Sequence, residues 1–175
     1  MSGPVENWQQ VAEAFDERYR AIGKTQWEAV TPCTEWNVHG LVAHAVGVQA
    51  MFAGALGGTA APEGDWPAAR ASMAEAIAKP GALEGMVTHP ALGEMPRGVV
   101  LGIATTDLLI HTWDLARALG TDDQMPAGPV AAAYEGLQQM PAEVIRASGR
   151  FSAALETPAD ADVQTKMLAF AGRKR

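Results

Sequence analysis

Residues 97–120 of this chain read RGVVLGIATTDLLIHTWDLARALG. Apolar side chains occupy nearly every side of a helix drawn through this stretch, and a helix that is apolar all round belongs in the middle of a bundle. Gly120 follows the last apolar residue, where a glycine is a good C-terminal cap. The stretch therefore predicts a central helix over residues 97–119 and, with it, an all-α protein.

Five further helices are predicted around the central one. Asn37 and Asp65 are suitable N-caps for two of them, and the first has apolar residues at alternating spacings of three and four. A long loop is predicted over residues 81–95, with a short extended piece at 85–87. Four principal helices with short additional ones predict a four-helix bundle that forms a single domain over residues 1–175. The five further helices span residues 4–30, 38–56, 66–79, 130–148 with a kink at Pro141, and 160–171.

The composition excludes several classes of protein. The net charge of −7 and the pI near 5.0 argue against a nucleic-acid binder, which needs a basic surface. The basic residues 173–175 are expected to form a frayed end. The single cysteine, Cys33, excludes an intrachain disulfide. The chain has no uninterrupted run of about 18 apolar residues and no secretion signal, so we expect no membrane span and a cytoplasmic location.

Two of the predicted helices carry ionisable residues inside apolar runs. His44 lies within LVAHAV at residues 41–46, and Asp107 and His111 lie four residues apart in the central helix. Residues four apart point to the same side of a helix, and an unpaired carboxylate or imidazole is expensive to bury. One solution is a divalent metal held by all three residues, with positions left open for water or substrate. The other is a hydrogen-bonded Asp–His pair in the core, with His44 satisfied separately.

Other polar and aromatic residues are weaker candidates. Asp114 and Arg117, three residues apart, are expected to form an ion pair at the surface or behind the metal. Cys33 is expected to be a small packing residue rather than a reactive thiol. Trp36 and Trp113 are expected to line the core or a pocket.

Three segments resemble a known family of actinobacterial proteins. They are TPCTEWNVHGLVAHAVG at residues 31–47, DLLIHTWDLARALG at 107–120 and LAFAGR at 168–173. Each resembles the corresponding segment of DinB/YfiT-like proteins related to the N-terminal domain of mycothiol-dependent maleylpyruvate isomerase. The resemblance spans nearly the whole chain and implies a four-helix bundle with a metal between its helices.

The resemblance implies that His44, Asp107 and His111 occupy the three metal-ligand positions of the family. Two imidazoles and one carboxylate suit zinc, nickel or ferrous iron, and zinc is the expected metal. The resemblance also implies a low-molecular-weight thiol, such as mycothiol or bacillithiol, as co-substrate. The isomerase has a glutamate where this chain has Asp107. It also has a second, C-terminal domain, and we expect no such domain in this chain. Maleylpyruvate is therefore not the expected substrate.

The leading hypothesis is a metal-dependent thiol transferase or thiol-assisted isomerase that acts on a small electrophile. In it, Trp36 and Trp113 line the substrate pocket and Arg117 holds an anionic group. One alternative is a metal-assisted hydrolase with Asp114 or His89 as general base. Another is a metal-binding or small-molecule-binding stress protein without catalysis, and the last is a bundle without metal. The expected partners are the thiol, the electrophile and a second copy in a homodimer, with no nucleic acid and no membrane.

Overall fold

The computed structural model describes residues 2–89, 93–140 and 152–175 of the chain. These residues form six helices and one antiparallel hairpin of two short strands. The fold is an all-α bundle, as the sequence predicts. In chain order the elements are α1 (Pro4–Arg20), α2 (Val38–Ala55), α3 (Trp66–Ala78), β1 (Met86–His89), β2 (Gly93–Pro96), α4 (Arg97–Leu119), α5 (Ala127–Gln139) and α6 (Val163–Phe170).

Helix α4 occupies the middle of the bundle. It packs against α1, α2 and α5, while α3 packs on α2 and α6 packs on α5. Leu101, Leu108 and Leu115 of α4 are fully buried. The helix ends at Leu119, and Gly120 follows with a φ of 68°, a left-handed conformation that favours glycine. The predicted bounds of the central helix and its glycine cap are both confirmed.

Helices α2 and α3 begin where their caps predict. The Asn37 side chain accepts a hydrogen bond from the amide of Gly40 at 2.9 Å, and the Asp65 side chain accepts one from the amide of Ala68 at 2.9 Å. These bonds satisfy amides that the first turn of a helix leaves without a partner. Helix α6 is capped in the same way by Asp162, and it is therefore slightly shorter than the predicted span of 160–171.

Helix α1 ends well before the predicted residue 30. It stops at Arg20, and the amide of Gly23 then donates to the side chain of Gln26. The chain turns toward α2, where the amide of His39 donates to the carbonyl oxygen of Trp27. These local bonds offer the backbone an alternative to the helix, which is why the periodicity of apolar residues overestimates its length.

Two other predicted spans are wrong. Residues 81–95 are not one irregular loop, because β1 and most of β2 lie within them and Met86 lies opposite Pro96. The extended piece predicted at 85–87 does overlap β1, which begins at Met86. Helix α5 begins at Ala127 rather than at residue 130. The predicted continuation of this helix to residue 148, with its kink at Pro141, lies outside the described residues.

Helices α2 and α4 are long and apolar enough to cross a membrane, by length and composition only. The share of the apolar window that is buried inside the protein is 44% in α2 and 72% in α4. The core helix of a soluble protein passes the same test, and α4 has the position of a core helix. These helices are therefore weak evidence for a membrane protein. The cytoplasmic location and the homodimer stay predictions.

A buried glutamine holds α2 against both α1 and α4. The side-chain oxygen of Gln49 accepts a hydrogen bond from the indole of Trp8 at 3.0 Å, and its amide nitrogen donates to the carbonyl oxygen of Ala104 at 2.8 Å. Farther along, Arg97 donates to the carbonyl oxygen of Leu56 at 2.6 Å. Residue numbers rise along α2 as they fall along α4, so the two helices are antiparallel with a defined register.

We expect Gln49→Leu to lower the free energy of unfolding by about 1–3 kcal/mol, because the buried indole of Trp8 loses its acceptor. Urea unfolding followed by tryptophan fluorescence measures the change. Gln9→Leu alters an exposed position of α1 and is the control. It should change the free energy of unfolding by less than about 0.5 kcal/mol. Equal effects of the two variants would contradict the role assigned to Gln49.

Candidate metal centre

Three side chains with metal-binding atoms converge between α2 and α4. Nε2 of His44 lies 3.5 Å from Oδ1 of Asp107, and Nε2 of His111 lies 3.7 Å from the same oxygen. One ligand atom of each residue lies within 4.8 Å of those of the other two. The two imidazole rings are close to perpendicular, with centroids 4.9 Å apart. The structure therefore brings together the three residues that the sequence singles out.

The spacing of these atoms fits a small divalent metal. In a tetrahedral site with ligand bonds of about 2.1 Å, neighbouring ligand atoms lie about 3.4 Å apart. The two distances to Asp107 are close to that value. The side chains of His44 and Asp107 are 24% and 19% exposed, which leaves one side of the cluster open. Two imidazole nitrogens and a carboxylate oxygen are donors that suit zinc, nickel and ferrous iron.

His111 is held from behind by a buried carboxylate. Its Nδ1 lies 3.1 Å from Oδ2 of Asp114, which is fully buried one turn farther along α4. Arg173 in turn binds both oxygens of Asp114, with Nε 3.0 Å from Oδ1 and Nη2 3.0 Å from Oδ2. A carboxylate behind a histidine ligand fixes the ring orientation and the tautomer. Nε2 of His111 is therefore left facing Asp107.

Two predictions about charged residues are wrong. Arg117, the predicted partner of Asp114, pairs with Asp123 at 3.3 Å instead. Arg173, expected in a frayed end, is 8% exposed and is the actual partner of Asp114. The rule for residues three apart considers only neighbours in sequence, whereas Asp114 and Arg173 are 59 residues apart.

Arg173 is the residue of this site that sequence reasoning missed. One signal pointed to a residue of this kind, namely the carboxylate of Asp114 inside the apolar run of α4. A buried carboxylate requires a cation, and that cation can come from a distant part of the chain. The resemblance of LAFAGR at residues 168–173 was a second signal, although the segment implied no role for its arginine.

Trp36 borders the cluster on the side of α2. Its ring stacks on that of His44, with centroids 4.3 Å apart and 25° between the planes, and it lies 5.8 Å from the ring of His111. The loop is tied locally, since the hydroxyl of Thr31 donates to the carbonyl oxygen of Trp36 at 2.8 Å. Trp36 therefore lies beside two of the candidate ligands, and its predicted role in substrate binding stays a prediction.

Trp113 and Arg117 project away from the cluster. Trp113 is buried two residues after His111, and residues two apart point to nearly opposite sides of a helix. The guanidinium of Arg117 lies over the indole of Trp113, 5.7 Å from the ring centroid. The predicted roles of these two residues in substrate binding gain no support from the geometry and stay predictions.

Cys33 lies near the ion pair behind His111. It is close enough to Arg173 and Asp114 for electrostatic interaction with both. Burial raises the pKa of the Cys33 thiol, and the nearby charge of Arg173 lowers it by less. The net shift is upward, so the side chain is a neutral thiol at neutral pH. This protonation state agrees with the packing role predicted for Cys33.

The charges around His111 favour its protonated form. Burial lowers the pKa of His111, but the carboxylates of Asp107 and Asp114 raise it by more, so the pKa lies above its ordinary value. For Asp114, burial raises the pKa, but the hydrogen bonds from His111 and Arg173 outweigh burial and the net shift is downward. In the metal-free protein a proton on His111 therefore competes with a metal ion.

Comparison with known proteins identifies the family. The model of the mycothiol maleylpyruvate isomerase N-terminal domain matches residues 8–91, a segment that contains His44 and ends before α4. Two uncharacterized proteins of Mycobacterium tuberculosis, Rv0738 of strain H37Rv and MT0763 of strain CDC 1551, are each 36% identical to this chain over 124 residues. Each match covers 67% of this chain and 68% of the relative. No solved structure matches the chain.

The fold and the site define an all-α bundle with a candidate metal site between two antiparallel helices. The chain belongs to the family of the mycothiol maleylpyruvate isomerase N-terminal domain. Membership confirms the resemblance drawn from residues 31–47, which lie inside the matched segment. The two mycobacterial relatives are uncharacterized, so they support the family assignment but give no information about the activity.

We expect zinc binding to release a proton from His111 even at pH values above about 6.5, the ordinary pKa of histidine. The folded pKa of His111 is raised, so its proton persists above that pH and is lost as the pH rises further. Zinc affinity should therefore keep rising, by up to about tenfold per pH unit, until the folded pKa is passed. Titration calorimetry in two buffers of different ionisation enthalpy counts the protons. A proton count of zero at pH 7 would contradict the expectation.

Proposed function

We propose that this protein is a metal-dependent enzyme that joins a low-molecular-weight thiol, such as mycothiol, to a small electrophile, or uses the thiol to isomerise one. The observation that carries the proposal is the convergence of His44, Asp107 and His111, with ligand atoms within 4.8 Å of one another. Membership of a family named for a mycothiol maleylpyruvate isomerase supports the thiol as co-substrate.

His44 and His111 would bind a divalent metal through Nε2, and Asp107 would bind it through a carboxylate oxygen. Zinc is the expected metal, and nickel and ferrous iron accept the same donors. When bound, the metal supplies positive charge that lowers the pKa of a neighbouring thiol, so that a thiolate exists at neutral pH.

The residues around the ligands would orient them and leave one side open. Asp114 and Arg173 hold the ring of His111 from the buried side. His44 is more exposed than His111, so the thiol and the electrophile would enter from the side of His44. Trp36 stacks on His44, and its flat apolar face would pack against an apolar part of either substrate.

The proposed reaction forms a bond between the thiolate sulfur and an electrophilic carbon, after the thiol proton has passed to solvent. In a transferase the leaving group departs with the electron pair of the bond that breaks. In an isomerase the sulfur adds to a double bond, the resulting single bond rotates, and the sulfur leaves again. Both versions require one thiolate and one electrophile on the open side of the cluster.

Metal-assisted hydrolysis is less well supported. It needs a general base beside the attacking water. Asp114, one predicted base, is fully buried with its oxygens engaged by His111 and Arg173, so it is not placed to serve. The structure describes the backbone of His89, the other predicted base, but not its side chain.

Wild-type protein without an affinity tag should retain about one zinc per chain after reconstitution. His44→Ala and His111→Ala should each lose most of it, because each removes one of three ligands. Inductively coupled plasma mass spectrometry gives the stoichiometry. His39→Ala removes an exposed histidine from the first turn of the same helix α2 and should keep the metal. If wild-type protein took up no zinc, nickel or iron, a hydrogen-bonded core cluster would be the better account.

Zinc-loaded protein should accelerate the reaction of mycothiol with a model aryl halide such as chlorodinitrobenzene. His111→Ala should reduce the enzymatic rate by about 100-fold or more, since the site loses its metal. The absorbance of the thioether product measures the rate, and His39→Ala is again the control. Metal binding without thiol-dependent turnover would favour a non-catalytic protein, and cleavage of an ester without thiol would favour the hydrolase.

A further inference from the structure

The C-terminal end of the chain turns back into the bundle directly after α6. The amide of Gly172 donates to the carbonyl oxygen of Ala169 at 3.0 Å, and the amide of Arg173 donates to that of Leu168 at 2.8 Å. This pair of bonds is the Schellman motif that ends many helices, and it requires a left-handed residue. Gly172 supplies it with a φ of 78°.

Glycine is also required at residue 172 for a second reason. A Cβ atom at this position would lie 2.6 Å from Cβ of Ser152, which is closer than real contacts of this kind. The turn therefore places the chain tightly against residue 152 and points the next side chain, Arg173, inward. Arg173 is 8% exposed, whereas arginine side chains in folded proteins are mostly exposed.

Inside the bundle, Arg173 contacts Asp114, the carboxylate behind His111. It binds both oxygens of Asp114 at 3.0 Å, and the same Oδ2 lies 3.1 Å from Nδ1 of His111. A guanidinium that binds a carboxylate through two parallel bonds fixes the plane of that carboxylate. The orientation of Asp114, and through it the ring of His111, therefore depends on Arg173.

We propose that Arg173 is a positioning residue of the metal site, which fixes Asp114 so that Nδ1 of His111 keeps its proton and Nε2 faces the metal. The inference rests on the proposed function for its metal. It assigns a role in metal affinity to the turn that follows α6, in addition to the packing of α6 on α5.

Stability alone is a weak explanation for this ion pair. A buried pair commonly contributes no more than well-packed apolar residues of similar volume would, because both charges lose their hydration. The pair lies directly behind a candidate metal ligand, where a fixed carboxylate has a specific effect on the ring. Loss of a carboxylate behind a histidine ligand typically weakens metal affinity by about 10–100-fold.

The test measures the affinity of purified variants of the 175-residue chain for zinc alone and the visible absorption spectrum of their cobalt complexes. Arg173→Gln should weaken zinc binding by about 10–100-fold and change the cobalt spectrum. Arg173→Lys should restore it only in part, because an ammonium does not bind both oxygens in one plane. Arg175→Gln, which alters an arginine of the same tail that pairs with Asp162 and Asp123, should bind zinc as the wild type does.

A double variant covers the case in which Arg173→Gln does not fold because Asp114 is left buried without its cation. Asp114→Asn combined with Arg173→Gln replaces the ion pair by two neutral amides, so that neither position carries a buried charge. It should fold, as circular dichroism would show, and bind zinc about 10–100-fold more weakly than the wild type. Zinc affinity equal to that of Arg175→Gln in this double variant would overturn the proposal.

A second readout does not depend on metal. Long-range proton–nitrogen NMR correlations of metal-free protein at about pH 9 show which ring nitrogen of His111 carries the proton. The wild type should have it on Nδ1, and Arg173→Gln, or the double variant where Arg173→Gln does not fold, should have a mixture or Nε2. An unchanged tautomer would overturn the inference. If wild-type protein binds no zinc or cobalt, the proposed function fails by itself, and the tautomer still decides the role of Arg173.

Discussion

The carboxylate of Asp114 is the group on which the arrangement of the site depends. It is fully buried, and an isolated charge of this kind is strongly destabilising unless ionic partners and hydrogen bonds compensate for its lost hydration. His111 and Arg173 together engage both of its oxygens. One partner lies on α4 itself and the other follows α6, so the burial of one group joins the C-terminal end of the chain to the middle of the bundle.

The position of His44 opposite Asp107 and His111 follows from the register of α2 against α4. Gln49 contacts the carbonyl oxygen of Ala104. His44 lies five residues before Gln49, or about 7.5 Å along the helix axis. Asp107 and His111 lie three and seven residues after Ala104, or about 4.5 and 10.5 Å along theirs. In antiparallel helices these two directions coincide, so His44 falls midway between the other two ligands and the three side chains converge.

The bundle and its three candidate ligands were predictable because their signals are local. Helices α2, α3 and α4 each have a cap or a glycine beside an apolar run, and a histidine inside such a run has to be compensated. Contacts between distant residues carried no local signal that names both partners. The pairing of Arg173 with Asp114 spans 59 residues, and the local rule selected Arg117 in its place. Helix α1 ends early for a related reason, since bonds made by Gln26 and His39 compete with continuation of the helix.

The two histidines of the cluster are held by different forces. His111 is 8% exposed with an ion pair behind it, whereas His44 is 24% exposed and lies against the face of Trp36. A hydrogen-bonded carboxylate fixes the direction of a ring, whereas stacking on an indole covers one face of the ring and makes no hydrogen bond to its nitrogens. The cluster therefore has a buried side with an ion pair behind His111 and a more exposed side at His44. Under the proposed function, a metal would be held between the two histidines, and a substrate would reach it from the open side that His44 and Trp36 border.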